Sequence, residues 1–197
     1  MEPTHLSDRF QAALDMALKL HQNQERKGSR EPYFTHLMSV SALVLENGGS
    51  ENQAIAALLH DAVEDQGGIP TLEKIRAKFG EEVAEIVDGC TDAYAHPKPP
   101  WKERKTKYLE RLKTESDTIL LVSLSDKVHN ARSILRDFQK EGDVIWERFK
   151  GGKAGTLWYY QSLANILDES PYSFLKHELR QIVEEIITLA NIQETGI

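Results

Sequence analysis

The sequence predicts an all-α fold. Apolar residues recur at spacings of three and four along nearly the whole chain, and no segment sustains the period-two alternation of a half-buried strand. Gly, Pro and Ser punctuate the periodic stretches. The 197 residues suffice for one sizeable core and would be cramped as two. The expectation is a single compact helical domain over residues 1–197, with about nine helices.

Each element has its own signal. Phe10, Ala13, Leu14, Ala17 and Leu18 mark one face of a first helix, with Ser7 or Thr4 as its cap. Leu37, Val40, Leu43 and Val44 mark a second, which stops at Asn47-Gly48-Gly49. Ser50 can cap a third, running through Ala54-Ile55-Ala56-Ala57-Leu58-Leu59 and on through residues 60–65, until Gln66-Gly67-Gly68-Ile69-Pro70 ends it. Thr71 is expected to cap a short helix with Leu72, Ile75 and Phe79, and Gly80 separates it from one with Val83, Ile86 and Val87. The Pro-rich stretch His96-Pro97-Lys98-Pro99-Pro100 reads as a loop over a site, followed by a basic helix over residues 101–112. Ser116 or Asp117 opens a long helix reaching Phe138. Gly151-Gly152 breaks the chain again, and two helices follow over residues 157–167 and 171–189.

Bulk properties exclude several classes. A formal net charge of -7 argues against a general nucleic-acid-binding surface. Cys90 is the single cysteine, which rules out an intrachain disulfide and a multi-cysteine zinc site and fits a reducing compartment. Without catalytic neighbours in sequence, it reads as a small buried hydrophobe. The N-terminus lacks a signal-peptide layout, and no apolar run approaches the ~18 residues of a membrane span. A cytoplasmic protein with neither nucleic-acid nor membrane partners is expected, and a homo-oligomer is compatible with the sequence.

The chemistry concentrates in His60-Asp61-Ala62-Val63-Glu64-Asp65, at the end of an otherwise apolar stretch. His and acidic residues rarely sit buried unless paired or metal-bound. On a continuous helix His60 and Glu64 would stack on one face with Asp61 and Asp65 beside them, the second pair one turn and roughly 5–6 Å away. That gives a metal-binding layer and then an acid/base layer. His36, after Glu31-Pro32-Tyr33, and Asp126, in Leu124-Ser125-Asp126-Lys127-Val128, could complete a mixed nitrogen and oxygen set suited to a divalent ion such as Mn²⁺. Alone, each has a bland reading. His36 could be a core histidine, Asp126 a hydrogen-bonded helix residue, and Glu64-Asp65 a solvated end, although negative charge there opposes the helix dipole.

These words together resemble a known family. His36, His60-Asp61 and Asp126 match the H…HD…D pattern of the HD-domain metal-dependent phosphohydrolases. Arg26-Lys27, Pro32-Tyr33-Phe34-Thr35-His36, residues 56–65, Phe79-Gly80, Val87-Asp88-Gly89-Cys90-Thr91 and residues 124–132 further resemble the hydrolase domain of RelA/SpoT-type alarmone enzymes, over residues 5–168. The length is similar to the stand-alone small alarmone hydrolases. The resemblance implies an HD-domain helical bundle and Mn²⁺-dependent removal of pyrophosphate from the 3′ position of guanosine tetra- or pentaphosphate, leaving GDP or GTP. It implies His36, His60, Asp61 and Asp126 as metal ligands and Glu64 and Asp65 as the pair that orients or activates water. It also implies Asn130, Arg26 and Lys27 beside the nucleotide. Ser125 departs from the more usual Ala, and Ala93 to Pro100 has no clear counterpart.

An acidic protein needs local cations to collect such an anionic substrate. Lys98, Lys102, Arg104, Lys105 and Lys107 crowd the segment after Pro97, and Arg26, Lys27 and Arg30 precede His36. Lys102 and Arg104 are therefore expected to bind substrate, against the alternative of a merely solvated basic face. Two other functions share the core motif: a phosphatase on another nucleotide such as NADPH, which a substrate panel separates, and a nucleotide-sensing module without turnover. No function is readable beyond Pro171.

Overall fold

The structure is a computed structural model that describes residues 4–94 and 97–195. His96 of the Pro-rich loop lies outside the described residues. The fold is all-α, and among the described residues the only strand-like pairing is an isolated antiparallel bridge between Glu25 and Pro32. The helices are α1 (Asp8–His21), α2 (Phe34–Glu46), α3 (Glu51–Leu59), α4 (Ala62–Asp65), α5 (Ile69–Phe79), α6 (Glu81–Cys90), α7 (Trp101–Leu112), α8 (Asp117–Glu141), α9 (Gly152–Leu167) and α10 (Ser173–Thr195), with a 3-10 segment at Gly142–Arg148.

The capping signals explain most boundaries. Ser7 accepts from the Arg9 amide at the start of α1, and Ser116 accepts from the Ile119 amide at the start of α8. Ser50 and Gln53 form a reciprocal capping box on α3. Gly48 takes a positive φ of 79°, where a β-carbon would be strained, just beyond the end of α2.

α3 is the axis of the molecule. Every residue from Gln53 to Leu59 is buried, and the helix packs against α1, α2, α6 and α8. Its alanines let those neighbours approach closely. α8 contacts α2, α3, α6, α9, α10 and the 3-10 segment, so the middle of α8 lies deep in the bundle.

Two expectations are corrected, and one element was not foreseen. The third helix does not run through residues 60–65: α3 ends at Leu59, His60 and Asp61 form a turn, and α4 restarts the helix. Both residues keep right-handed helical backbone angles through the break, and their side chains reach one another, with His60 Nε2 2.9 Å from Asp61 Oδ2. Thr71 does not cap α5. Gly68 occupies that position, and the Thr71 hydroxyl donates to the Gln66 carbonyl at 2.7 Å from inside the helix. The 3-10 segment has no periodic signal because it is too short, yet it buries Ile145 and Trp146, the latter against Phe138.

Candidate metal and phosphate site

The four residues expected to bind metal converge. His36 comes from the first turn of α2, His60 and Asp61 from the break after α3, and Asp126 from mid-α8. His36 Nε2 lies 3.2 Å from Asp126 Oδ1 and 3.7 Å from Asp61 Oδ2. His60 Nε2 lies 2.9 Å from Asp61 Oδ2 and 3.6 Å from Asp126 Oδ1. Both rings and Asp126 are buried.

Protons on the far side of each ring test whether this arrangement fits a cation. His60 Nδ1 lies 2.8 Å from the Ala57 carbonyl, which can only accept, so Nδ1 carries the hydrogen and the neutral ring that a cation would select offers Nε2 as its lone pair. His36 Nδ1 faces His129 Nδ1 at 2.7 Å. Burial, then the neighbouring His36 and Arg26, push His129 down to about 3, so it is neutral and its Nδ1 can accept from His36 Nδ1–H. His36 Nε2 is then bare as well. Both buried Nε2 atoms lack a hydrogen-bond donor among the described residues. Two lone pairs and two carboxylates facing one point suit a divalent cation, and His36, His60 and Asp126 alone form a compact three-ligand cluster. Burial lowers the basicity of His36; at His60 it is outweighed by the charges of Asp61 and Asp126, which raise it in the absence of a cation.

A further layer fixes these groups. Tyr33 donates to Asp61 Oδ2 at 2.5 Å, and burial and then Asp61 hold its phenol protonated. Asn130 donates to Asp126 and accepts from Arg26 Nη2 at 2.9 Å, linking the basic loop to α8. That loop is folded by the Glu25–Pro32 bridge and by the Arg26 amide donating to the Glu31 carbonyl at 2.8 Å.

Glu64 and Asp65 lie on the same cavity, of about 460 Å³, as Asp61 and Asp126. Their partners differ. Glu64 pairs with Lys98 Nζ at 2.7 Å and accepts from the Asp92 amide at 3.3 Å. Asp65 accepts from the neutral Gln24 amide at 2.8 Å, with Lys98 farther off at 3.8 Å. The Gln24 carbonyl in turn takes donors from Gln66 and His21, each at 2.7 Å, which fixes which end of its amide faces Asp65. Burial, and then the charge of Asp61, push the Asp65 carboxyl above its ordinary value.

The structure brings most of the expected residues together, but not all. Arg26, Lys27, Arg104 and Asn130 line the cavity with the acidic pair. Arg104 is buried, and its guanidinium is taken by Asp92 and the Pro99 carbonyl. Lys102, expected to bind substrate, sits outside the cavity lining on the outer face of α7, over the Trp158 ring. Gln24 and His129 were not foreseen as parts of the site, and Tyr33 stood only in the motif before His36. His21-Gln24 and His129, each beside a motif already noted, were the available signals.

Comparison with known proteins agrees with this arrangement. The family model described as HD domain matches residues 13–157. A Xenopus tropicalis protein named guanosine-3′,5′-bis(diphosphate) 3′-pyrophosphohydrolase MESH1 is 37% identical over 127 residues, covering 63% of this chain and 68% of the relative. Its mouse namesake is 35% identical over 178 residues, covering 88% and 92%. This chain spans only 16–22% of several longer bacterial relatives. The solved structure of a metazoan orthologue of SpoT, described as hydrolysing ppGpp with a role in starvation responses, superposes with a TM-score of 0.77 at 27% identity, covering 92% of this chain and 97% of that one. With the HD-domain model matching most of its length and the mouse relative matched nearly end to end, this chain belongs to the HD-domain family, among its MESH1-type members.

Proposed function

We propose that the protein is a metal-dependent pyrophosphohydrolase that converts guanosine tetra- or pentaphosphate and water to GDP or GTP and pyrophosphate. The names of its relatives and the likeness to a ppGpp-hydrolysing structure support the substrate. The observation that carries the chemistry is the acidic pair Glu64 and Asp65 sharing one cavity with the His/Asp cluster.

His36, His60, Asp61 and Asp126 would hold the ion, and Mn²⁺ suits their nitrogen and oxygen atoms. Such an ion, when bound, supplies Lewis acidity toward a phosphoryl oxygen and a lowered water pKa. In hydrolysis a bond forms between the water oxygen and the inner phosphorus of the 3′ diphosphate, and the bond from that phosphorus to the 3′ oxygen breaks, that oxygen leaving with the bonding pair and taking a proton from solvent to become the 3′ hydroxyl. Asp65, raised in basicity and oriented by a neutral amide, takes the proton from water. Glu64, held by Lys98, orients that water. Arg26, Lys27 and Asn130 bind the nucleotide at the cavity rim. Among the described residues no helix is long and apolar enough to cross a membrane, and the free thiol of Cys90 fits action in a reducing cytoplasm.

The test is product analysis with purified protein, Mn²⁺ and guanosine tetraphosphate, beside NADPH. Release of GDP and pyrophosphate, with a larger kcat/KM than for NADPH, is expected. A folded, metal-loaded protein that turns over neither overturns the proposal, and binding without turnover would indicate a sensing module.

A further inference from the structure

The cavity has a second polar region whose groups the reaction above does not use. α9 contributes Thr156 and Tyr159, three residues apart on one face, and both line the cavity while almost fully buried, at 4% and 5% exposure. Neither the Thr156 nor the Tyr159 hydroxyl has a hydrogen-bond partner among the described residues. Buried polar side chains nearly always have one, so two adjacent orphans on a cavity wall call for a ligand.

Two lysines from other helices lie against the aromatic rings of this region. Lys105 of α7 lies with its Nζ 4.9 Å from the centre of the Tyr159 ring, and Lys127 of α8 with its Nζ 4.9 Å from the centre of the Tyr108 ring, which Lys105 also approaches, at 5.8 Å. Lys105 shares Asp92 with Arg104, two basic groups to one carboxylate, and burial lowers the basicity of Lys105 while Asp92 opposes. Lys127 Nζ is 2.5 Å from Asp126 Oδ2, which places this region directly beside the His/Asp cluster. An ammonium has three N–H donors, so neither lysine is exhausted by its carboxylate. Burial holds the Tyr159 phenol well above its ordinary value, with Lys127 opposing, so it stays a donor.

We propose that Thr156 Oγ1, Tyr159 Oη, Lys105 Nζ and Lys127 Nζ form a subsite for the outer phosphate of a diphosphate whose inner phosphate lies at the His/Asp cluster. The identity of that diphosphate rests on the proposed function; the subsite itself rests on the orphan hydroxyls. The wall offers hydroxyl and ammonium donors, which match phosphate oxygens and give a nucleobase edge few acceptors. The outer phosphate would add charge-assisted bonds that a monophosphate lacks. The subsite thereby selects removal of pyrophosphate over removal of phosphate.

Calorimetry tests this on the full-length, Mn²⁺-loaded protein freed of excess metal, with inorganic pyrophosphate, inorganic phosphate and GDP as probes. Tyr159→Phe and Thr156→Val should each weaken pyrophosphate binding about tenfold, as expected for loss of a buried bond to a charged group, while phosphate and GDP binding stay within about twofold. Unchanged pyrophosphate affinity in both variants, with wild-type unfolding curves, overturns the subsite. So does a loss confined to GDP, which would assign these hydroxyls to a 5′ diphosphate. Should Tyr159→Phe fail to fold, Thr156→Val alone decides. None of these readouts needs turnover. A protein inactive on guanosine tetraphosphate but with Tyr159-dependent pyrophosphate binding would overturn the proposed function and keep the subsite.

Discussion

His36 and His129 meet Nδ1 to Nδ1 at 2.7 Å, one on α2 and the other on α8, so a single proton between them sets which way the His36 lone pair points. His129 touches neither carboxylate of the cluster but fixes the tautomer of a ring that does. His129→Ala should weaken Mn²⁺ binding about 10–100-fold, as is usual when a ligand loses its orienting partner. His129→Gln, which keeps an acceptor, should lose less. Calorimetric titration with Mn²⁺ checks both, and equal affinities in all three proteins would contradict the assignment.

Gln24 gives a separable effect, because its amide meets Asp65 and no group of the His/Asp cluster. Gln24→Leu should reduce kcat about tenfold with KM nearly constant, since it disturbs orientation and leaves substrate binding alone. The pH profile adds a second readout. Asp65 is raised by burial and Asp61, and the Gln24 bond opposes that rise. Activity requiring ionised Asp65 is present above its raised pKa and lost as pH falls through it. Removing Gln24 should therefore move the acid limb of kcat to higher pH.

Metal binding should stabilise the fold. The proposed ligands come from α2, the break after α3, and α8, so unfolding separates them. At a Mn²⁺ concentration 100 times the Kd, the gain is about 2.7 kcal/mol. Thermal unfolding with Mn²⁺ and then with a chelator should show a reversible Tm shift. His60→Ala should abolish most of it.

Core and surface changes along α3 should differ in size. Ile55 is fully buried at its centre, and Ile55→Ala should destabilise by about 2–5 kcal/mol through the cavity it leaves. Ser50→Ala removes one half of the capping box and should cost about 1 kcal/mol. Denaturant unfolding of the two variants measures both.

Much of this was legible in the sequence because it is local. Ser7, Ser50 and Ser116 announce helix starts through short-range bonds, and periodicity locates the buried faces of α1, α2 and α8. The His/Asp cluster was legible because residue types so costly to bury stood inside apolar stretches. What escaped depends on distance in the chain. Gln24 meets Asp65 across 41 residues and His36 meets His129 across 93. No periodicity encodes such pairings. The break at His60-Asp61 was hidden because its flanking residues, Leu59 and Ala62, suit a helix well, and tertiary contacts of the two side chains override that preference. Lys102 shows the converse: charge pattern placed it near an anion, and only packing shows that it covers Trp158.

α3 also acts as a gauge block. Ala54, Ala56 and Ala57 are fully buried where this helix meets its neighbours, α2 and α8 among them. The thickness of a methyl group thus helps set how far His36 stands from Asp126. A bulkier residue at these positions would push on the elements that carry both side chains, so the same substitution would disturb their spacing as well as strain the bundle. The dimensions of the reactive centre are written partly in residues that carry no chemistry.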